Sequence, residues 1–286
     1  MTSDLVLVPA AAAPLARRPA PWRLVFGSAV LLAIVLTASF APLIAPHAPL
    51  RQDLAHHLEP PSRTHPLGTD RLGRDVLSRL LFGARLSLTV GAAAVTGALL
   101  LGVLLGTVAG YGGRASDELV MRTTDVLLAF PGILLAIALA AVLGPSARNV
   151  VIALTVMGWP SYARLTRAEV RAAAARDSTR AAEALGATPL RIALRHLLPS
   201  ARPALVVQAT FGIAGAIVAE ASLSFLGLGP PPPAASWGAM LAEGRSFLLI
   251  APHLVIAPAA ALGITVLAIQ LVGDALRVGR AAESGR

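Results

Sequence analysis

Residues 164–202 read RLTRAEVRAAAARDSTRAAEALGATPLRIALRHLLPSAR, and the rest of the chain is organised around this stretch. It lies between two apolar runs yet carries eight arginines and three acids, too much charge for hydrocarbon. Asp177 or Ser178 is suited to cap a short helix through Arg180, Ala181, Ala182, Glu183, Ala184 and Leu185, accepting from the free N–H groups of its first turn. Gly186 ends that helix, because glycine enters the left-handed conformation at little cost. Thr188-Pro189 opens a second helix, with proline at the first helical position. There Leu190, Leu194, Leu197 and Leu198 recur at helical spacing as one apolar stripe, while Arg191, Arg195 and His196 point elsewhere. Pro199 is expected to stop it. The predicted product is a bent pair of helices, apolar on one side and basic on the other, which reads as a docking surface. An arginine loop resting on lipid head groups is the alternative.

Composition sets the surroundings of this loop. Of 286 residues 56% are hydrophobic, mean hydropathy is +0.72, and only 14% are charged, against about 25% in soluble domains. The chain is read as a membrane protein. All 24 basic residues are arginine, because lysine is absent. No Walker A loop and no Schiff-base lysine can therefore be built. Cysteine is absent too, which excludes disulfides, thiolate metal sites and cysteine nucleophiles. The arginine excess fits anionic lipid and positive-inside topology better than nucleic acid.

Six spans follow from the apolar runs. Residues 1–23 read as a disordered tail ending in Arg17, Arg18 and Arg23, and Leu24–Ala45 as an uncleaved first span, longer than a signal peptide requires. Leu86–Gly110 is the second, punctuated by Gly91, Gly97, Gly102 and Gly106, small residues that let helices approach closely. Tyr111-Gly112-Gly113 turns the chain. Val126–Leu143 is the third span, with Pro131 as a kink and Asp125 at its interfacial start. Val150–Tyr162 is the fourth, Pro203–Phe225 the fifth, and Ser246–Gly273 the sixth; 227–244 reads as a loop with a stiff stretch at Pro230–Pro233. With the amino terminus inside, sixteen arginines fall on the cytoplasmic side and eight outside, in the sense of the positive-inside tendency. The division is a tail (1–23), a first span with an extracytoplasmic segment (24–85), a core (86–277) containing the 164–202 loop, and a short cytoplasmic tail (278–286).

Residues 46–85 are the most polar stretch outside the central loop. His47, His56, His57 and His65 raise the question of nickel or zinc, but no HExxH or similar compact spacing supports a metal, and a solvated loop is the expectation. The run from Gly68 through Asp70, Gly73, Arg74 and Asp75 to Arg79 alternates acid and arginine, so its charges can neutralise one another and hold the segment folded at the membrane surface. Glu220 is the one acid placed within an apolar run. It either faces a translocation path or makes a structural hydrogen bond to a neighbouring helix.

These motifs carry a resemblance. Ala181-Ala182, Gly186 and Leu198-Pro199 resemble the coupling loop in the membrane subunits of ATP-binding-cassette importers, with Arg180 where the pattern has glutamate and Glu183 one turn later. GTD-x-x-GRD-x-x-SR from Gly68, then the EASLSFLGLG run from Glu220 and Ser236-Trp237-Gly238, resemble the dipeptide, oligopeptide and nickel branch. The resemblance covers most of residues 65–274. It implies an all-α, six-span type I importer fold of the MetI-like kind and a binding-protein-dependent permease in the bacterial inner membrane. Its expected partners are a second permease chain, two ATPase subunits that hydrolyse the ATP, and an extracytoplasmic binding protein. No cofactor of its own and no nucleic acid are implied. The cargo is expected to be a di- or oligopeptide, with nickel next. A gradient-driven transporter would need ionisable groups near mid-membrane and paired broken helices, whereas the spans here are nearly free of charge, and a hydrolase pairing Ser224 with His253 has no supporting motif.

Overall fold

A computed structural model describes residues 21–284. Residues 1–20, which hold most of the predicted tail, and 285–286 lie outside the described residues. The described chain is helical: α1 (Pro21–Ser39), α2 (Ala41–Ile44), α3 (Val76–Tyr111), α4 (Arg114–Ala129), α5 (Gly132–Leu143), α6 (Ala147–Ala174), α7 (Asp177–Ala184), α8 (Pro189–Ile192), α9 (Leu198–Phe225), α10 (Trp237–Gly244) and α11 (His253–Ser284). A π-turn over Ala193–Leu197 joins α8 to α9.

Four helical segments are long and apolar enough to cross a membrane by themselves: α1, α3, the unit Pro189–Phe225 and α11. The pair α4–α5 adds a bent fifth. α6, which contains the fourth expected span, falls outside this count. The long helices alternate in direction. Gly97, Gly102, Gly106 and Gly110 of α3 face Thr155, Tyr162, Ala163 and Val170 of α6 in rising order, so these two helices run parallel. Ser87 and Gly91 of α3 meet Glu220 and Ile217 of α9, which therefore runs antiparallel to both. Of the glycines foreseen along α3, Gly97, Gly102 and Gly106 form the seam with α6 while Gly91 meets α9; a Cβ on Gly102 would lie 2.3 Å from that of Tyr162, so only glycine permits the approach.

Several expected boundaries shift for identifiable reasons. α3 begins at Val76 rather than Leu86, because Asp75 caps it by accepting from the Ser78 N–H at 2.8 Å. The third span is not one straight helix. Phe130 is extended before Pro131, and α4 and α5 diverge by 90° there. α6 continues to Ala174, so Arg164, Arg167 and Arg171 sit on a helix and not in a loop. Pro199 does not end the helix after Thr188: the π-turn widens the backbone before it, and α9 continues to Phe225. The segment 227–244 contains α10, capped by Ser236, which accepts from the Ala239 N–H at 3.2 Å. α11 starts at His253 instead of Ser246 and runs beyond residue 277 to Ser284.

Candidate functional site

Two polar assemblies occupy opposite ends of α3. At about 1.5 Å per residue its 36 residues rise roughly 54 Å, enough to pass a bilayer of about 40–45 Å including head groups. The Val76 end carries a charged cap, and the Tyr111 end carries the helix pair foreseen at residues 177–198.

That pair forms a handle. α7 starts at Asp177, with Arg176 and not Asp177 or Ser178 at the cap position, and no side chain caps it. Asp177 instead places its charge on the first turn, where the helix dipole favours an acid. Gly186 has φ +78° with nothing within 4 Å of an added Cβ, so conformation alone, not space, demands glycine. The Ala187 N–H donates to the Ala182 carbonyl at 3.1 Å and closes the turn. Thr188 caps α8, accepting from the Arg191 N–H at 3.4 Å. The handle is held from behind: Thr179 donates to the Ala173 carbonyl at 2.9 Å, and Ile192 and Leu197 bury against Val170 and Ala173. Its front is open. Arg180, Ala181, Glu183 and Arg195 are exposed, Ala182 and His196 half-buried, and Leu185 at the tip is 89% exposed. Leu185 belonged to the predicted helix but not to the predicted site; an apolar residue just before the turn glycine was the available signal.

The leucine stripe divides. Leu197 faces inward, whereas Leu190, Leu194 and Leu198 line an open apolar groove of about 840 Å³ shared with Leu104 of α3 and Val206 of α9. Three of the eight arginines belong to the bundle rather than to the docking face. Arg167 and Arg171 pair with Asp117 of α4, the latter at 2.7 Å, and Arg164 pairs with Asp125 at 2.7 Å. Asp125 is exposed, as expected of an interfacial acid.

The charged cap neutralises itself as its alternating residues suggested. Asp70 Oδ2 accepts from Arg74 Nε at 2.6 Å and from Arg79 Nη1 at 2.5 Å. Glu243 of α10 accepts from Arg74 Nη2 at 2.7 Å and from Arg79 Nη1 at 2.8 Å, closing a ring of two acids and two guanidiniums. Glu243 escaped the sequence reading because 164 residues separate it from Arg79. Gly68 and Gly73 both take positive φ, and a Cβ on Gly73 would fall 1.7 Å from the Asp53 carbonyl oxygen. Trp237 is buried, its Nε1–H donating to the Leu80 carbonyl at 3.1 Å.

Glu220 is wholly enclosed. Its two oxygens accept from Ser87 of α3 at 2.8 Å and from Ser224 at 2.7 Å, and the Ser87 hydroxyl in turn accepts from the Trp237 N–H at 3.3 Å. In this conformation the carboxylate ties α9, α3 and α10 together. Ser224 is thus engaged with Glu220, while His253 lies against the Thr69 carbonyl at 3.3 Å, so the two do not form a catalytic pair.

The four loop histidines separate into two kinds. His57 is exposed, and His56 pairs with Asp53 at 3.0 Å. That hydrogen bond is the main reason the Asp53 carboxyl is held below its ordinary range and the His56 imidazole above its own. His47 and His65, by contrast, stack on each other above Asp75, which the solvated-loop expectation did not foresee.

Comparison with known proteins agrees with this architecture. Residues 102–278 match the family described as binding-protein-dependent transport system inner membrane component, and residues 23–61 match the N-terminal TM domain of oligopeptide transport permease C. The chain is 41% identical over 268 residues to the dipeptide transport system permease protein DppC of Alkalihalophilus pseudofirmus, covering 90% of this chain and 88% of that one. It is 44% identical to the di/tripeptide transport system permease protein DppC of Pseudomonas aeruginosa, over 88% of this chain and 85% of that one. It is 46% identical over 219 residues to the glutathione transport system permease protein GsiD of Pectobacterium atrosepticum, over 77% and 73%. Among solved structures, an inward-facing MetNI methionine ABC transporter shares the fold with TM-score 0.57 at 22% identity, over 72% of this chain and 96% of that one. With the family matched across its core and the permease C domain matched at its start, this chain belongs to the inner-membrane components of binding-protein-dependent transport systems.

Proposed function

We propose that this chain is one of two permease subunits that form the pathway for short peptides in an ATP-driven importer. The observation that carries the reading is the exposed helix–turn–helix at residues 177–198, rooted in a lysine-free bundle that has no nucleotide-binding loop of its own. ATP is hydrolysed by two separate cytoplasmic subunits that seat this handle, and a substrate-binding protein delivers cargo to the opposite, charged end. The handle and both termini lie in the cytoplasm; the excess of arginine on that side supports the orientation. Closure of the ATPases moves the handle as a rigid body, and the antiparallel helices behind it tilt to expose the pathway inward. Such coupling needs a packed element with two discrete arrangements, and the buried contact of Ile192 and Leu197 with Val170 and Ala173 is suited to it.

Cargo of two or three residues is supported by the names of the relatives, which include dipeptide, di/tripeptide and glutathione permeases. Nickel is the alternative cargo within the same branch. The test is uptake into proteoliposomes containing the reconstituted complex, with ATP and no ion gradient, against di- and tripeptides, glutathione and nickel. ATP-dependent accumulation of a peptide supports the reading. Accumulation of nickel alone replaces the cargo, and uptake that needs a gradient but not ATP overturns the class.

A further inference from the structure

We propose that His47, His65 and Asp75 form a binding site for a divalent transition-metal ion of the zinc type, which staples the segment between the first two spans to the head of α3. The three come from different places: His47 follows α2, His65 sits in the loop, and Asp75 caps α3. Yet their ligand atoms all lie within 4.8 Å of one another. His65 Nδ1 is 3.0 Å from Asp75 Oδ1, and His47 Nδ1 is 3.9 Å from the same oxygen. Zinc binds imidazole nitrogen and carboxylate oxygen at about 2.0–2.2 Å, so two tetrahedral ligands stand about 3.4 Å apart. The observed separations bracket that value.

Three further features point to an ion rather than to a histidine–aspartate hydrogen bond alone. His47 Nδ1 is buried and has no hydrogen-bond partner among the described residues, an orphaned lone pair or proton facing the carboxylate. The two imidazoles are stacked with centroids 4.6 Å apart, and the nearest Asp75 oxygen to both Nδ1 atoms is Oδ1. Asp75 is oriented from behind: its Oδ2 accepts from the Ser78 N–H at 2.8 Å and the Ser78 hydroxyl at 2.7 Å, leaving Oδ1 for the site. The Ser78 hydroxyl also accepts from the His47 N–H at 3.1 Å, so one serine positions two of the three ligands. Outer-shell bonds of this kind are what fix ligand orientation in metal sites. A pocket of about 90 Å³, bordered also by Arg51, Asp53 and Gly73, leaves room for water to complete the coordination. Two imidazoles and one carboxylate suit zinc, nickel or copper and not the oxygen-seeking calcium or magnesium.

The experiment is zinc binding by equilibrium dialysis to the tag-free full-length chain in nanodiscs, with cobalt(II) absorption as a report on geometry. The expected result is one zinc per chain, affinity reduced at least about tenfold in His47→Ala and in His65→Ala, and unchanged affinity in His56→Ala, whose ring faces Asp53. Zinc also raises the thermal unfolding temperature of the wild type and of His56→Ala but not of His47→Ala, by the linkage of binding to folding. Circular dichroism establishes that each variant keeps its helices; should an alanine variant lose them, glutamine at the same position replaces it. No saturable zinc binding by the wild type overturns the proposal. So does binding that survives either His47→Ala or His65→Ala.

Discussion

Tyr111 donates a 2.8 Å hydrogen bond to Glu183, joining the last turn of α3 to the exposed helix α7. The other end of α3 is locked into the charged cap through Arg79. One helix therefore touches both the handle and the charged cap, and it is the packed element through which the proposed coupling would pass. Removing this bond by Tyr111→Phe costs up to about 1 kcal/mol, or fivefold in an equilibrium it biases. The expected outcome is normal assembly with more ATP hydrolysed per peptide taken up, measured in proteoliposomes.

Gly186 provides a cleaner separation of shape from space. An added side chain meets nothing within 4 Å, so any defect in Gly186→Val arises from its positive φ. The left-handed region costs an ordinary residue about 1–2 kcal/mol, and asparagine less. Gly186→Val is expected to keep ATP hydrolysis and lose most uptake, while Gly186→Asn retains both. Parallel assays of hydrolysis and transport on the two variants check this.

The ring of Asp70, Arg74, Arg79 and Glu243 is mostly buried, so removing one member strands a charge. The cost of such a break is about 3–5 kcal/mol. Glu243→Ala is expected to lower the thermal unfolding temperature markedly, and Arg79→Met combined with Glu243→Ala to recover part of the loss, since Asp70 then keeps Arg74. Scanning fluorimetry in detergent reads both.

Much of this was legible from local chemistry, and what was not depended on distance or on membrane position. The turn at Gly186 and the start at Thr188-Pro189 declared themselves because glycine takes a positive φ at least cost and proline suits the first helical position. The acid–arginine alternation from Asp70 to Arg79 foretold self-neutralisation, but not that Glu243 completes it from another helix. Charge at Arg164 set the limit of the expected span but does not end α6, so the expected span and the helix have different limits. Pro199 misled for a related reason: its ring is incompatible with a regular preceding turn, and the π-turn at Ala193–Leu197 removes that conflict. Glu220 stood by sequence between a pathway group and a structural hydrogen bond to a neighbouring helix; Ser224 lies four residues on in α9, but Ser87 became its partner only once α3 and α9 were set side by side.

Glu220 accordingly yields a graded expectation. Glutamine keeps an acceptor for one serine and a donor that the other hydroxyl can take, so Glu220→Gln is expected to assemble and to lower uptake only modestly. Glu220→Leu leaves two buried hydroxyls without their acceptor, at about 1–3 kcal/mol each, and is expected to reduce the yield of folded protein. Size-exclusion profiles and uptake on both variants decide it; full transport in Glu220→Leu would remove the tie between α9, α3 and α10.

The most direct measurement places a photo-crosslinking amino acid at Leu185, the exposed tip of the handle. In native membranes containing the whole importer, the account predicts crosslinks from position 185 to the ATPase subunits that change in yield when ATP is bound. Crosslinks to lipid alone, or labelling of position 185 by a reagent confined to the outer side, would contradict it.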